Sequence, residues 1–178
     1  MRALLDACVL YPTVLRSVLT GCAARGLFQP LWSARILEEW RRAVLRTHPE
    51  QAGQIAAEIA QLSAGFAGAE ISPAPDLEAV LSLPDPSDRH VLAGAIAGGA
   101  DLVVTLNLTD FPGRTLARHG LRPSHPDAFL MELAADAPDA VAESVAAALA
   151  PLEAAPVAPT RRAILKRARL PRLARHLA

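Results

Sequence analysis

The chain is poor in several things that would each point to a function class. It has two cysteines, Cys8 and Cys22, too few for a disulfide framework or a zinc cluster. With one of them assigned to a strand, they read as buried thiols in a reducing compartment. It has no apolar run near the ~20 residues a membrane span needs. The opening Met1-Arg2-Ala3-Leu4-Leu5-Asp6 brings in charge before a signal-peptide core can form. These absences predict a cytoplasmic protein with no membrane contact. There is no internal repeat, no nucleophilic triad is visible, and the five histidines lack metal-ligand spacing.

What is present is a chain of 178 residues, 52% hydrophobic, enough for a domain of ordinary size with a real core and too apolar for a disordered one. The formal net charge is zero but unevenly spread. From Thr160 onward there are seven basic residues (Arg161, Arg162, Lys166, Arg167, Arg169, Arg172, Arg175) and no acid, which leaves 11 basic against 18 acidic residues in positions 1–159. A tail of charge +7 on an acidic body either docks on that body or follows a phosphate backbone.

The most informative stretch runs from Asp85 to Pro112. Asp85, Pro86 and Ser87 form a turn in which Asp85 or Ser87 can cap a helix. Val91, Leu92, Ala95 and Ile96 then recur at helical spacing, and Gly98 and Gly99 stop that helix. Leu102 to Leu106 is a continuous β-branched run of the kind that forms a strand buried on both faces. Asp88 thus stands at a helix start, and Asn107 and Asp110 lie just past a strand, where open α/β sheets bind ligands.

Earlier in the chain, Ala3 to Leu5 reads as a first strand ending on Asp6, an acid that must be paired, hydrogen-bonded or bound to a metal if it is buried. A helix over Thr13–Arg25 and a brief extended piece at Leu27–Trp32 follow. Ser33 then caps a helix over Ala34–Arg46 that carries Glu38 and Glu39 near its amino end, where a first-turn acid suits the helix dipole. Further helices are expected over Glu50–Ala64, Asp76–Leu83, Gly113–His119, Pro126–Leu133 (begun by Ser124 or Asp127), Ala134–Leu152 and Arg161–His176, the last interrupted at Pro171. A short strand at Glu70-Ile71 and a turn or edge strand at Gly120–Pro123 complete the pattern. The order predicts a compact α/β domain of three layers, an α/β/α sandwich with a small parallel sheet. The domain would occupy residues 1–133 and carry a helical C-terminal extension with a basic tail over 134–178.

Four stretches, Asp6-Ala-Cys-Val-Leu-Tyr-Pro, Trp32-Ser-x-x-Ile-Leu-Glu-Glu39, Asp85-Pro-Ser-Asp88-Arg-His-Val-Leu-Ala and Gly99-Ala-Asp-x-Val-Val-Thr105-x-Asn107-Leu-x-Asp110-Phe-Pro, resemble the PIN-domain nucleases. The likeness is strongest to the branch of VapBC-type toxins and runs from about Arg2 to Leu133. It implies a PIN-like fold and a metal-dependent endoribonuclease that uses Mg²⁺ or Mn²⁺, with RNA as substrate, a cognate antitoxin protein as partner and a homodimer as assembly. Carried over by position, Asp6, Glu39 and Asp88 match the three acids that hold the ion, with Glu38 a possible substitute for Glu39. Asn107 stands where many members have aspartate, and Asp110 offers charge at the same site. Cys8 replaces a frequent asparagine and removes a polar group beside the site. Thr105 can orient a carboxylate or a water. Arg89, Arg161, Arg162, Lys166 and Arg167 are candidate RNA contacts.

The chemistry fits on its own terms. Mg²⁺ takes oxygen ligands, usually one or two carboxylates plus substrate phosphate, and clustered acids raise one another's pKa unless a cation occupies them. Two rivals belong to other classes. One is a PIN-like protein that binds RNA or a partner and cuts weakly or not at all. The other is a phosphatase acting on small phosphate esters.

Overall fold

The computed structural model describes residues 1–155, 157 and 159–177. Five parallel strands form one sheet: β1 (Arg2–Leu5), β2 (Gln29–Ser33), β3 (Glu70–Ile71), β4 (Leu102–Val104) and β5 (Arg122–Ser124), in the spatial order β3-β2-β1-β4-β5. The helices that flank it are α1 (Ala7–Leu10), α2 (Thr13–Ala24), α3 (Ala34–Thr47), α4 (Ala52–Gly65), α5 (Pro75–Val80), α6 (Arg89–Ala97), α7 (Gly113–Ala117), α8 (Pro126–Asp136), α9 (Pro138–Glu153), α10 (Arg161–Arg167) and α11 (Pro171–His176). This is the α/β/α sandwich with helical extension that the residue pattern predicts. No helix among the described residues is long and apolar enough to cross a membrane.

The register puts Leu4 beside both Leu31 and Val103, and Leu5 beside Val104. Ala3, Leu4, Leu5, Leu102, Val103 and Val104 are fully buried, which is why the two central strands are uninterrupted apolar runs rather than alternating ones. The chain steps outward from β1 to β2 to β3, then crosses back to β4 and on to β5. The order therefore reverses between β1 and β4, and a crevice opens at their carboxyl ends.

Local chemistry sets the elements. Ser33 Oγ accepts from the Ile36 N–H at 3.2 Å and starts α3, whose Ile36, Leu37 and Trp40 face the core. Helix α6 lies close over the sheet. A Cβ on Gly94 would stand 2.8 Å from Ile71 Cδ1, and one on Gly98 would stand 2.9 Å from Ile71 Cγ2. Gly99, at φ 60°, takes the left-handed turn that ends α6.

The last helices join the same core. Helix α9 packs along α2, and α10 and α11 pack on each other, with α11 against α8. Ile164, Leu165, Leu170 and Leu173 are buried with the residues of the sheet. Asp127, only 3% exposed, accepts hydrogen bonds from the backbone N–H groups of Arg172 at 2.8 Å and Leu173 at 3.0 Å. Its carboxylate thus caps the first turn of α11 from 45 residues away, and the basic tail docks on its own body.

Some local expectations shift. Neither cysteine lies in a strand: Cys8 is in α1, a single turn between Asp6 and Tyr11, and Cys22 is in α2. Helix α8 is capped by His125, whose Nδ1 accepts from the Asp127 N–H at 3.2 Å, not by Ser124 or Asp127. The alanine-rich stretch does not run unbroken from Ala134, because Ala137 at φ −142° separates α8 from α9.

Candidate metal centre

Asp6 leaves β1 with its N–H bonded to Val104 O at 3.1 Å, so the ladder to β4 fixes where the side chain emerges. Its Oδ2 accepts from Thr105 Oγ1 at 2.7 Å and from Cys8 Sγ at 3.1 Å. Thr105 is fully buried and its Oγ1 accepts from the Asn107 N–H at 3.0 Å, which leaves the hydroxyl proton for Asp6. Cys8 Sγ accepts from the Leu106 N–H at 3.2 Å. Burial first, and then the Asp6 charge, push the Cys8 thiol up to about 12, so it stays protonated and donates. The expectation that Cys8 removes a polar group beside the site is corrected, because the thiol orients Asp6.

The second part of the site is a 3-10 turn, Pro86–Asp88. Asp85 Oδ1 accepts from the Ser87 N–H at 2.8 Å and from Ser87 Oγ at 2.7 Å, and these bonds hold its carboxyl below the usual range. Three residues per turn brings Asp85 and Asp88 to the same side. Asp110 comes from the turn after β4, where the Asn107 side-chain amide donates to Asp110 Oδ2. Asp85, Asp88 and Asp110 each place one oxygen so that all three lie within 4.8 Å of one another.

Asp88 records the strain of that gathering. Its carboxyl is pushed up to about 6, chiefly by burial and then by the charges of Asp6, Asp85 and Asp110, with His90 pulling the other way. Among the described residues no Lys or Arg lies within ion-pair distance of Asp6, Asp85, Asp88 or Asp110. Asp88 and Asp110 are half-buried and Asp85 is exposed, so the group has no counter-charge but an open side, and its all-oxygen donor set is of the kind that Mg²⁺ or Mn²⁺ takes.

The two glutamates of α3 divide. Both lie beyond its first turn, so the helix dipole is not what holds them. Glu38 is bound by Arg41 at 2.6 Å and Arg42 at 2.7 Å, and those hydrogen bonds push its carboxyl down to about 2. Glu39 instead faces His90, whose Nε2 is 2.9 Å from Glu39 Oε1, and Arg35, whose Nε is 3.4 Å away. The His90 contact is off the N–H axis, and neither ring nitrogen of this 7%-exposed histidine has an aligned acceptor.

Asp88, Asp110 and, through its charge, Asp6 are thus brought together. Glu39 stands on the neighbouring helix, outside the 4.8 Å group. Asn107 aims its amide nitrogen at Asp110 and positions that acid, with its Oδ1 3.4 Å from Thr109 Oγ1. Asp85 was read from the sequence only as a capping residue, yet it is a member of the group. The Asp-Pro-Ser-Asp spacing was the available signal. Of the basic candidates, Arg89 is half-buried with Nε unpaired, Arg161 is held by Glu153 at 2.9 Å, and Arg162, Lys166 and Arg167 are exposed on α10.

Comparison with known proteins gives two findings. The family described as PIN domain matches residues 2–109. A Mycobacterium tuberculosis (strain ATCC 25618 / H37Rv) protein named "Putative ribonuclease VapC50" is 44% identical over 45 residues. That match covers 25% of this chain and 27% of the relative, so the chain spans about a quarter of the length of the curated relative it matches. No solved structure matches the chain.

Proposed function

The chain belongs to the PIN-domain family, and from that premise we propose that it is a divalent-metal-dependent endoribonuclease, the toxin half of a toxin–antitoxin pair. Residues 1–133 form the nuclease domain and residues 134–178 its helical extension. The observation that carries the reading is Asp88, lifted to about 6 by burial and by three neighbouring acids, in the crevice where the strand order reverses. The substrate is RNA, the controlling partner a cognate antitoxin, the working assembly a homodimer, and the compartment the cytoplasm.

Each residue then has a role. Asp88 and Asp110, with Asp85 and Asp6, would hold Mg²⁺ or Mn²⁺, and Glu39 completes the acidic wall from α3. A divalent ion held there supplies charge for the phosphate oxygens and a water of lowered pKa. Thr105 and Cys8 fix Asp6 by donating to one of its oxygens. Asn107 fixes Asp110; a further free carboxylate in its place would add repulsion without adding orientation. His90 lies buried against Glu39, its Nε2 2.9 Å from Oε1.

The test is cleavage of a mixed RNA pool in Mg²⁺, Mn²⁺ or EDTA, by the wild type beside Asp6→Asn and Asp88→Asn. The expected outcome is cutting that needs metal and falls by about 10²-fold or more in each variant. Folded, antitoxin-free protein that cuts under no condition would favour the rival RNA-binding reading. Turnover of small phosphate esters in place of RNA would favour the phosphatase reading.

A further inference from the structure

An open cleft of about 690 Å³ lies beside the acidic group, lined by Cys8, Tyr11, Leu106, Asn107, Arg46 and Arg169 among others. Asn107 belongs to both features, since its amide holds Asp110. The cleft therefore continues from the place where a phosphodiester would be cut. Resting on the nuclease reading, we propose that this cleft is the subsite for the nucleotide next to the scissile bond of single-stranded RNA. Arg169 and Arg46 grip its phosphate, and Tyr11 offers its base a ring to stack on.

Arg169 carries the argument. It is the one non-glycine among the described residues with positive φ, 62°, a conformation in which a Cβ is crowded and glycine is the usual occupant. The backbone is locked there on both sides. Arg169 N–H bonds Lys166 O at 3.0 Å and Leu170 N–H bonds Leu165 O at 2.9 Å, closing α10. Immediately beyond, buried Asp127 clamps Arg172 and Leu173. A strained residue held so firmly, with its side chain over a cleft, is a common mark of a functional position. The conformation needs no arginine, but the cleft gives one a use.

Charge selects the occupant. Among the described residues neither Arg46 nor Arg169 has a carboxylate within ion-pair distance, whereas Arg35, Arg41, Arg42 and Arg161 are each paired. Two free guanidiniums in one cleft suit the oxygens of a phosphate. The cleft also has an apolar side, with Ala7, Pro12 and Leu106, and Tyr11 stands 38% exposed, its hydroxyl 3.2 Å from Thr47 Oγ1. Phosphate-binding cations beside an exposed ring are the two elements of single-strand binding. The subsite thus brings a residue of the C-terminal extension to the reaction, one that the sequence offers only as one of seven charges in the basic tail.

The experiment uses the full chain with Arg169→Gly, Arg169→Lys and Arg46→Ala. It reads the affinity for a labelled single-stranded RNA in EDTA at several salt concentrations, cleavage in Mn²⁺, and Tm. Arg169→Gly should melt at the wild-type temperature or about 2 °C above it, because glycine relieves the strain. Its RNA affinity should nonetheless drop by about tenfold, with the salt slope smaller by about 0.7. Arg169→Lys should recover the slope, and Arg46→Ala should weaken binding as Arg169→Gly does. Wild-type affinity and slope in Arg169→Gly would overturn the subsite while leaving the nuclease intact. A wild type that cuts nothing, yet loses RNA affinity on Arg169→Gly, would overturn the nuclease, and with it the scissile bond, and leave the cleft as a site that binds single-stranded RNA. No RNA binding by the wild type would overturn both, and binding of an acidic peptide in place of RNA would make the cleft a partner site.

Discussion

The carboxyl pole of the sheet and the seam where the last two helices dock both draw aspartates away from water, to opposite ends. At the seam, Asp127 is 3% exposed and receives two backbone N–H groups from the start of α11. Its charge is used up in holding the fold together. At the pole, Asp88 receives no such donor, faces three other acids, and is lifted to about 6. One carboxylate is satisfied by the chain itself; the other is left for something the chain does not contain. The first arrangement serves stability, and the second is where the proposed function is placed.

That contrast predicts effects of opposite sign. The largest is expected at Asp127. Asp127→Ala leaves one buried and one partly buried N–H group without an acceptor and frees α11, so it should cost about 3 kcal/mol in urea unfolding and lower Tm by about 6–12 °C. Asp127→Asn keeps one acceptor and should cost about half as much. A loss below about 1 kcal/mol for the alanine variant would show that the seam is held by apolar packing alone.

Asp88 should behave in the reverse way. An acid whose folded pKa is raised lowers stability when ionised and gives it back as it takes up a proton. The native carboxyl takes up its proton near pH 6, the unfolded one only near 3.8. Stability due to Asp88 therefore rises as pH falls through 6 and levels off below 3.8. Solvent screening of a half-buried group reduces the gain to about 1 kcal/mol. At neutral pH without divalent ions, Asp88→Asn should therefore be the more stable protein by about that amount, and its melting should lack the acid-side rise. Millimolar Mn²⁺ should raise the wild-type Tm and barely move that of Asp88→Asn. Equal responses to Mn²⁺ would mean that the ion binds elsewhere.

How much of this was legible follows from distance along the chain. The strands that build the pole were plain because Leu102 to Val104 and Ala3 to Leu5 are short, wholly apolar and followed at once by polar residues. Asp6 and Asp110 could be read from those endings, and Asp88 from the start of the helix that precedes β4. The four residues of α1 are too few for a helical period to show against the apolar run that precedes them. Asp85 was hidden by a double duty: it caps a turn through Ser87 while the same turn brings it beside Asp88. The partner of Asp127 and the place of Arg169, one charge among seven in the tail, were illegible for a different reason. What defines each is a partner far away in sequence: the N–H groups of α11 for Asp127, and a cleft built from α1, α3 and the turn after β4 for Arg169. No local pattern announces a contact of that kind. The two glutamates of α3 lie between these cases, since their spacing from the strand was readable and their partners were not.

Those glutamates give the smallest effect and a sharp one. Glu38 and Glu39 are adjacent on one helix, but only Glu39 turns toward buried His90, while Glu38 closes an exposed network with Arg41 and Arg42. Glu39→Gln should lower RNA cleavage by about tenfold or more and weaken the rise in Tm with Mn²⁺. Glu38→Gln should leave cleavage unchanged and move Tm by no more than experimental scatter, because surface ion pairs contribute little when two flexible side chains and solvent compete for each charge. If the two variants lose cleavage equally, Glu38 would have to leave Arg41 and Arg42 and enter the site, and the acidic wall on α3 would be a pair of glutamates in exchange.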